Sequence, residues 1–136
     1  MSETILTGGC YCGALRYEAK MAPVFQAQCH CRPCQYFSGG GSNYFMVVPA
    51  VGFSYTNGTP ATFARSDIPN PRTREFCATC GTHIATLRNN GDKILKAGTL
   101  DDPTAFGAPS MAINCDEMQP FHSIADGVPC YDKMPG

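Results

Sequence analysis

The chain has 136 residues, enough to bury one core, and reads as a single domain over 1–136. Its formal net charge is −1, and its ten lysines and arginines are scattered along the sequence, which argues against a nucleic-acid partner. No stretch approaches the length of a membrane-crossing helix, so no membrane partner is expected.

The start, Met1-Ser2-Glu3-Thr4, has neither a basic nor an apolar leader region. No signal peptide is expected, and the expected compartment is the cytoplasm. Ala14 to Ala19 alternates apolar and polar residues, the period of a half-buried strand. Val24 to Cys31 reads as a second strand. Pro33 then favours a turn or the first turn of a short helix through Gln35, Tyr36 and Phe37. Ser38 to Ser42 holds three consecutive glycines, which would let backbone approach a ligand closely. Asn43 to Val48 is a strand of aromatic and β-branched residues. Phe53 to Arg65 reads as a hairpin turning at Asn57-Gly58. Ser66 to Thr73 is loop. Thr82 to Leu87 and Lys93 to Ala97 are strands joined through Asn89-Asn90-Gly91. Gly98 to Pro103 is a turn, Met111 to Cys115 a short strand, and the tail irregular. The class is mainly β.

Seven of the nine cysteines fall in three clusters: Cys10-Tyr11-Cys12, Cys29-His30-Cys31-Arg32-Pro33-Cys34, and Cys77-Ala78-Thr79-Cys80. Reduced, cytosolic cysteines at such spacings are metal ligands more often than disulfides, and nine is an odd number for a disulfide framework. Residues i and i+2 of an extended chain share a side, so Cys10 and Cys12 can grip one ion. Cys77-x-x-Cys80-Gly81 has the form of a zinc knuckle, with Gly81 tolerating the turn's positive φ. Together these four thiolates would close a tetrahedral site and staple distant parts of the chain, although another pairing of the clusters has the same ligand count. The middle cluster offers three thiolates and leaves a position open, the arrangement of a chemical rather than a structural site. Two zinc ions per chain follow.

Three thiolates over-neutralise Zn²⁺ and suit a soft fourth ligand, an incoming thiol. Coordination deprotonates that thiol and makes it a nucleophile toward a small aldehyde. Arg32 and Arg74 are candidate partners for the carboxylates of a thiol such as glutathione. His30 is directed away from the ion by the strand alternation and is a candidate acid–base group. His83 and His122 read as ordinary polar residues, and Cys115 and Cys130 as small buried hydrophobes.

The segments Gly9 to Gly13, Cys29 to Cys34, Ser38-Gly39, Arg74 to Gly81 and Ala97 to Asp102, with the tail Pro120-Phe121 and Asp126 to Pro129, stand in the order seen in the glutathione-dependent formaldehyde-activating enzyme family, which the chain resembles over nearly its whole length. The resemblance implies a Gfa-type domain of small packed antiparallel sheets, like the Mss4-like proteins. It implies a structural zinc on Cys10, Cys12, Cys77 and Cys80, and a catalytic zinc on Cys29, Cys31 and Cys34. The activity it implies is that of a carbon–sulfur lyase, joining glutathione and formaldehyde into S-hydroxymethylglutathione. The chain departs from the family at Gln35, where a basic residue is frequent, and at Phe121, where Trp is frequent. Centromere protein V shares this type of domain, so a non-catalytic zinc-stabilised binding module is the alternative. A methionine sulfoxide reductase would need an exposed nucleophilic cysteine, for which Cys115 is the only candidate.

Overall fold

The computed structural model describes residues 5–134. Among the described residues ten short strands form two sheets, with one α-helix and four short 3-10 helices between them. The smaller sheet joins β1 (Leu6–Gly9), β2 (Arg16–Ala19) and β5 (Phe53–Asn57), all antiparallel. The larger sheet has seven strands in the order β10-β3-β4-β9-β8-β7-β6. It comprises β3 (Phe25–Cys29), β4 (Asn43–Val48), β6 (Ala61–Phe63), β7 (Arg74–Phe76), β8 (His83–Leu87), β9 (Lys93–Lys96) and β10 (Ala112–Ile113). Among the strand pairs of the described residues, β10–β3 alone is parallel. The helix α1 spans Arg32–Ser38. Among the described residues no helix is long and apolar enough to cross a membrane.

The expectation of a mainly β chain with small, largely antiparallel sheets holds. The hairpin expected over Phe53–Arg65 does not form. β5 ends at Asn57 and pairs with β2 in the small sheet, while β6 pairs with β7 in the large one. Gly58 has φ +76°, and a Cβ there would stand 2.3 Å from the Ala14 carbonyl oxygen. That position therefore requires glycine for both backbone conformation and close approach. The short segment between β5 and β6 passes the chain from one sheet to the other.

β4 explains how two layers share one strand. Its sequence Asn-Tyr-Phe-Met-Val-Val is buried from Phe45 to Val48, a continuous apolar run covered on both faces. Met46 and Val48 point into a core formed with Leu15, Tyr17 and Ala19 of the small-sheet side and Ile84, Ala85 and Leu95 of the large sheet. Phe45 and Val47 point the other way, into a second cluster with Ala27, Cys29, Cys34 and Ile113. A buried polar bridge also ties the sheets together. Lys93 and Glu75 pair at 2.8 Å with side chains only 15% and 10% exposed, and the Tyr55 hydroxyl donates to the same Glu75 oxygen at 2.8 Å.

The three-glycine loop ends the helix. Gly39 ends α1 in the left-handed conformation (φ +82°), and Gly40 follows at φ +116°. Neither residue lines the large cavity described below.

Candidate metal centres and the cavity beside them

The turn after β1 carries Cys10 and Cys12, and the turn between β7 and β8 carries Cys77 and Cys80. Folding brings the four sulfurs within 4.8 Å of one another. Cys10 Sγ lies 3.6 Å from Cys12 Sγ, and Cys12 Sγ 3.8 Å from Cys77 Sγ. The edge of a tetrahedron with Zn–S bonds of 2.3 Å is about 3.8 Å, close to both of these distances, so the four-sulfur donor set suits zinc. Backbone N–H groups support the sulfurs: Leu15 donates to Cys10 at 3.2 Å and Cys80 to Cys77 at 3.4 Å. Gly81 takes φ +81° and donates its N–H to the Cys77 carbonyl at 2.8 Å, closing the knuckle. This group joins the small sheet's turn to the large sheet's turn.

The second group is Cys29, Cys31 and Cys34, also within 4.8 Å of one another. Cys29 ends β3. Cys31 caps α1, its sulfur accepting from the Cys34 N–H at 3.4 Å, and Cys34 sits in the first turn of the helix. Asn114, held in the left-handed conformation at φ +52°, donates Nδ2–H to Cys29 Sγ at 3.2 Å. Hydrogen bonds from Cys31 and Cys34 hold the Cys29 thiol down at about 2, while Cys29 pushes the other two upward. Three sulfurs this close cannot all ionise without a cation, and a soft divalent ion meets that need. Among the described residues no fourth His, Cys, Asp or Glu completes this group.

The open side of the three-cysteine group faces a cavity of about 1090 Å³. Strand register builds its floor. Phe25 stands opposite Val47, Val47 opposite Ile94, Ile94 opposite Thr86, and Thr86 opposite Arg74. All five line the cavity. A neighbouring row sets Phe45 opposite Lys96. Both arginines expected to bind substrate reach this cavity. Arg32 lies over the Tyr36 ring at 4.9 Å, and Arg74 lies over the Phe37 ring at 4.2 Å while donating to Thr86 Oγ1 at 3.2 Å. Burial lowers Arg74, and burial lowers Lys96 to about 8.

The cations scattered along the sequence are not scattered in space. Six of the ten lysines and arginines line this cavity: Arg32, Arg65, Arg72, Arg74, Arg88 and Lys96. Sequence reading missed four of them because only cross-strand register and the 64–73 loop bring them to one wall.

His30 is not in the cavity lining. It is fully buried, and its Nδ1 lies 3.1 Å from His122 Nδ1. His122 Nδ1 also accepts from the Gln119 N–H at 3.1 Å, and its Nε2 is 2.7 Å from the Gly40 carbonyl oxygen, to which it donates. The pair fixes the end of β3 against the C-terminal segment, so His122 is a structural partner rather than an ordinary polar residue. Gln35 has a similar role. Its Nε2 donates to the carbonyls of His30 at 2.8 Å and Glu117 at 2.9 Å, and its Oε1 accepts from Arg32 and Gln119. Phe121 is 71% exposed and stacks edge-on against His122.

Cys115 and Cys130 are not separate buried hydrophobes, as expected from the sequence; they form a disulfide. Backbone bonds run beside it, from the Ala112 N–H to Pro129 O and from the Tyr131 N–H to Ala112 O. The bridge pins the tail beside β10, next to Asn114. It also removes the only free thiol a methionine sulfoxide reductase reading could use.

A family profile described as glutathione-dependent formaldehyde-activating enzyme matches residues 5–117. A search of curated proteins returns no match. Among solved structures the chain is similar to a crystal structure of a Rhodobacter sphaeroides protein, with a TM-score of 0.60 at 17% identity, covering 76% of this chain and 96% of that one. At that identity the likeness concerns the fold alone.

Proposed function

The chain belongs to the glutathione-dependent formaldehyde-activating enzyme family, and from that membership we propose that it is a two-zinc carbon–sulfur lyase of the S-(hydroxymethyl)glutathione synthase type, acting as one domain in the cytoplasm. The observation that carries the reading is a three-thiolate group lacking a fourth protein ligand among the described residues and facing a cationic cavity. In this reading Cys10, Cys12, Cys77 and Cys80 hold a structural zinc, and Cys29, Cys31 and Cys34 hold the catalytic one. Zinc bound by three thiolates keeps a place for a soft ligand and stabilises an incoming thiol as its thiolate.

The chain's own residues do the rest. Asn114 fixes the Cys29 sulfur, and the α1 cap fixes Cys31 and Cys34. Arg32 and Arg74, their guanidiniums stacked on aromatic rings, hold the thiol substrate's carboxylates. The apolar floor of Phe25, Val47 and Ile94 limits water near the aldehyde. The new bond joins sulfur to the aldehyde carbon, the C=O π pair moves to oxygen, and the proton released by the thiol ends on that oxygen. Lys96, the buried cation on the floor, supports the developing alkoxide. His30 acts as a positioning residue through His122, since its ring does not face the cavity.

Two measurements test this. Elemental analysis should find two zinc ions per chain, falling to one in Cys34→Ser. NMR exchange between formaldehyde and its glutathione adduct should be faster with the protein than without it and lose that acceleration in Cys34→Ser. Exchange unchanged by the zinc-loaded protein at saturating thiol refutes the activity.

A further inference from the structure

We propose, independently of the thiol-activating reading, that Cys115 and Cys130 are a reversible thiol–disulfide exchange site whose oxidation state governs how firmly Asn114 is held against the Cys29 sulfur. These are the two cysteines outside both metal groups, and they are joined to each other. Cys130 is exposed and Cys115 half-buried, so a small thiol in solution can reach the Cys130 sulfur. Structural disulfides resist reduction, whereas exposed ones exchange readily and serve as regulatory bridges. In a reducing compartment a bridge of this kind is a transient sensor rather than a permanent staple.

The bridge closes a strap along the β10 edge of the large sheet, where Ala112 and Cys130 pair side by side. Residues 129–133 run beside residues 112–116, joined by backbone bonds. The Ala112 N–H donates to Pro129 O at 2.8 Å, the Tyr131 N–H to Ala112 O at 2.9 Å, the Cys115 N–H to Tyr131 O at 3.0 Å and the Asn114 N–H to Lys133 O at 3.2 Å. Little else keeps the strap in place. Residues 129–134 are all exposed, and the ion pair from Lys133 to Asp116, at 2.7 Å, is a surface pair that contributes little. A segment with so few buried contacts opens locally once its cross-link is gone.

The strap's neighbour is Asn114. Its φ of +52° is uncommon outside glycine and is held by bonds on both sides. The Lys133 carbonyl accepts its N–H, and the Glu117 N–H donates to its carbonyl at 3.1 Å. So placed, its Nδ2–H donates to Cys29 Sγ at 3.2 Å, and both Asn114 and Met134, at the end of the strap, line the cavity. Opening the bridge releases the Lys133 side of this support. A thiol is the reductant. One thiolate attacks the Cys130 sulfur; a new S–S bond forms there, the Cys115–Cys130 bond breaks, and Cys115 leaves as a thiolate that takes up a proton. A second thiolate attacks the outer sulfur of that mixed disulfide and displaces Cys130, which is protonated in turn. Two small thiols are thereby oxidised to one small disulfide while the bridge is reduced to two thiols, and the small disulfide drives the reverse.

Glutathione and its disulfide serve as the probe couple. The zinc-loaded full chain is equilibrated in mixtures of the two, and the state of Cys115 and Cys130 is read by alkylation and peptide mass spectrometry. The bridge should open in millimolar glutathione and close again under excess glutathione disulfide. With the bridge open, the backbone amides of Asn114, Cys115 and Tyr131 should exchange hydrogen about ten-fold faster or more, while those of β4 are unchanged. The Asn114 side-chain amide, assigned in an NMR spectrum by its loss in Asn114→Ala, should move from its sulfur-bonded position toward that of a solvated amide. The variant C115S/C130S should show open-state behaviour in every mixture. A bridge that stays closed in millimolar glutathione, or a pair that stays reduced under excess disulfide, overturns the exchange site. An opened bridge that leaves either the backbone exchange or the Asn114 side-chain amide unchanged overturns the coupling to Cys29, as does a C115S/C130S variant that still follows the mixture.

Discussion

The two metal groups contain the same motif, Cys-x-Cys, but close loops of very different length, and stability should report the difference. In each motif one cysteine is nearly buried (Cys10 at 7%, Cys29 at 6%) and its companion is more exposed. Replacing either pair by serine therefore disturbs packing to a similar degree. The entropic consequence differs. A metal on the first group links Cys12 to Cys77, 65 residues along the chain. Treated as a cross-link, that closure stabilises the fold by about 4 kcal/mol. A metal on Cys29, Cys31 and Cys34 closes only about five residues, for about 2 kcal/mol on the same relation. Domains of this size are stable by roughly 5–15 kcal/mol, so closing the longer loop supplies a substantial share of the whole. Urea unfolding of zinc-saturated protein, followed by far-UV circular dichroism, reads both. With a urea m-value of about 2 kcal/mol/M, the C10S/C12S variant should move the midpoint down by about 2 M and the C29S/C31S variant by about 1 M. Each variant should lose one zinc per chain. Equal shifts, or a larger shift for C29S/C31S, would refute the assignment of stapling to the first group.

Two other predictions address interactions outside the metals. Glu75→Ala removes the partner of both Lys93 and the Tyr55 hydroxyl in a buried bridge between the sheets. Unfolding should become easier by about 3–5 kcal/mol because a buried ammonium is left unpaired, and an unfolding midpoint within error of the parent would contradict the bridge. Asp101 accepts from Arg16 and from Thr7, and these bonds, Arg16 first, hold its carboxyl at about 2 against an ordinary 3.8. Because the folded value is the lower one, the contribution is complete above pH 4 and disappears as pH falls toward 2. The stability gap between the parent and Asp101→Asn should thus close across that window, and a gap independent of pH would show that the carboxylate contributes nothing through ionisation.

The cysteine clusters were legible because metal-ligand spacing is local, i, i+2 in one case and i, i+3 in the other, although Cys10 and Cys12 sit in a turn and not in the extended chain that was expected. Spacing alone left the four-plus-three grouping open and the resemblance implied it; the fold sets the Cys10 turn beside the Cys77 turn. Strand β4 was legible from its run of aromatic and β-branched residues. The Asn57-Gly58 pair was legible as a break between two strands but was misread as a hairpin turn, since a break in the pattern leaves open which edge captures each flank. Here β7 captures β6. The Cys115–Cys130 bridge was missed because a separation of 15 residues carries no local signature. The cationic wall was missed for a similar reason: Arg74, Thr86 and Ile94 are neighbours only through register, and Arg65 and Arg72 come from irregular chain.

That irregular chain has an evolutionary consequence. Residues 64–72 are all exposed, yet Arg65, Ile68, Asn70, Pro71 and Arg72 form one wall of the cavity. The cavity's cysteines and the sheet floor lie elsewhere, in buried or half-buried positions. Mutation can therefore rewrite that single wall, residue by residue or by wholesale loop exchange, without disturbing the sulfur ligands or the packing beneath them. A lineage built on this scaffold can retain its reactive centre while changing which molecule is admitted to it.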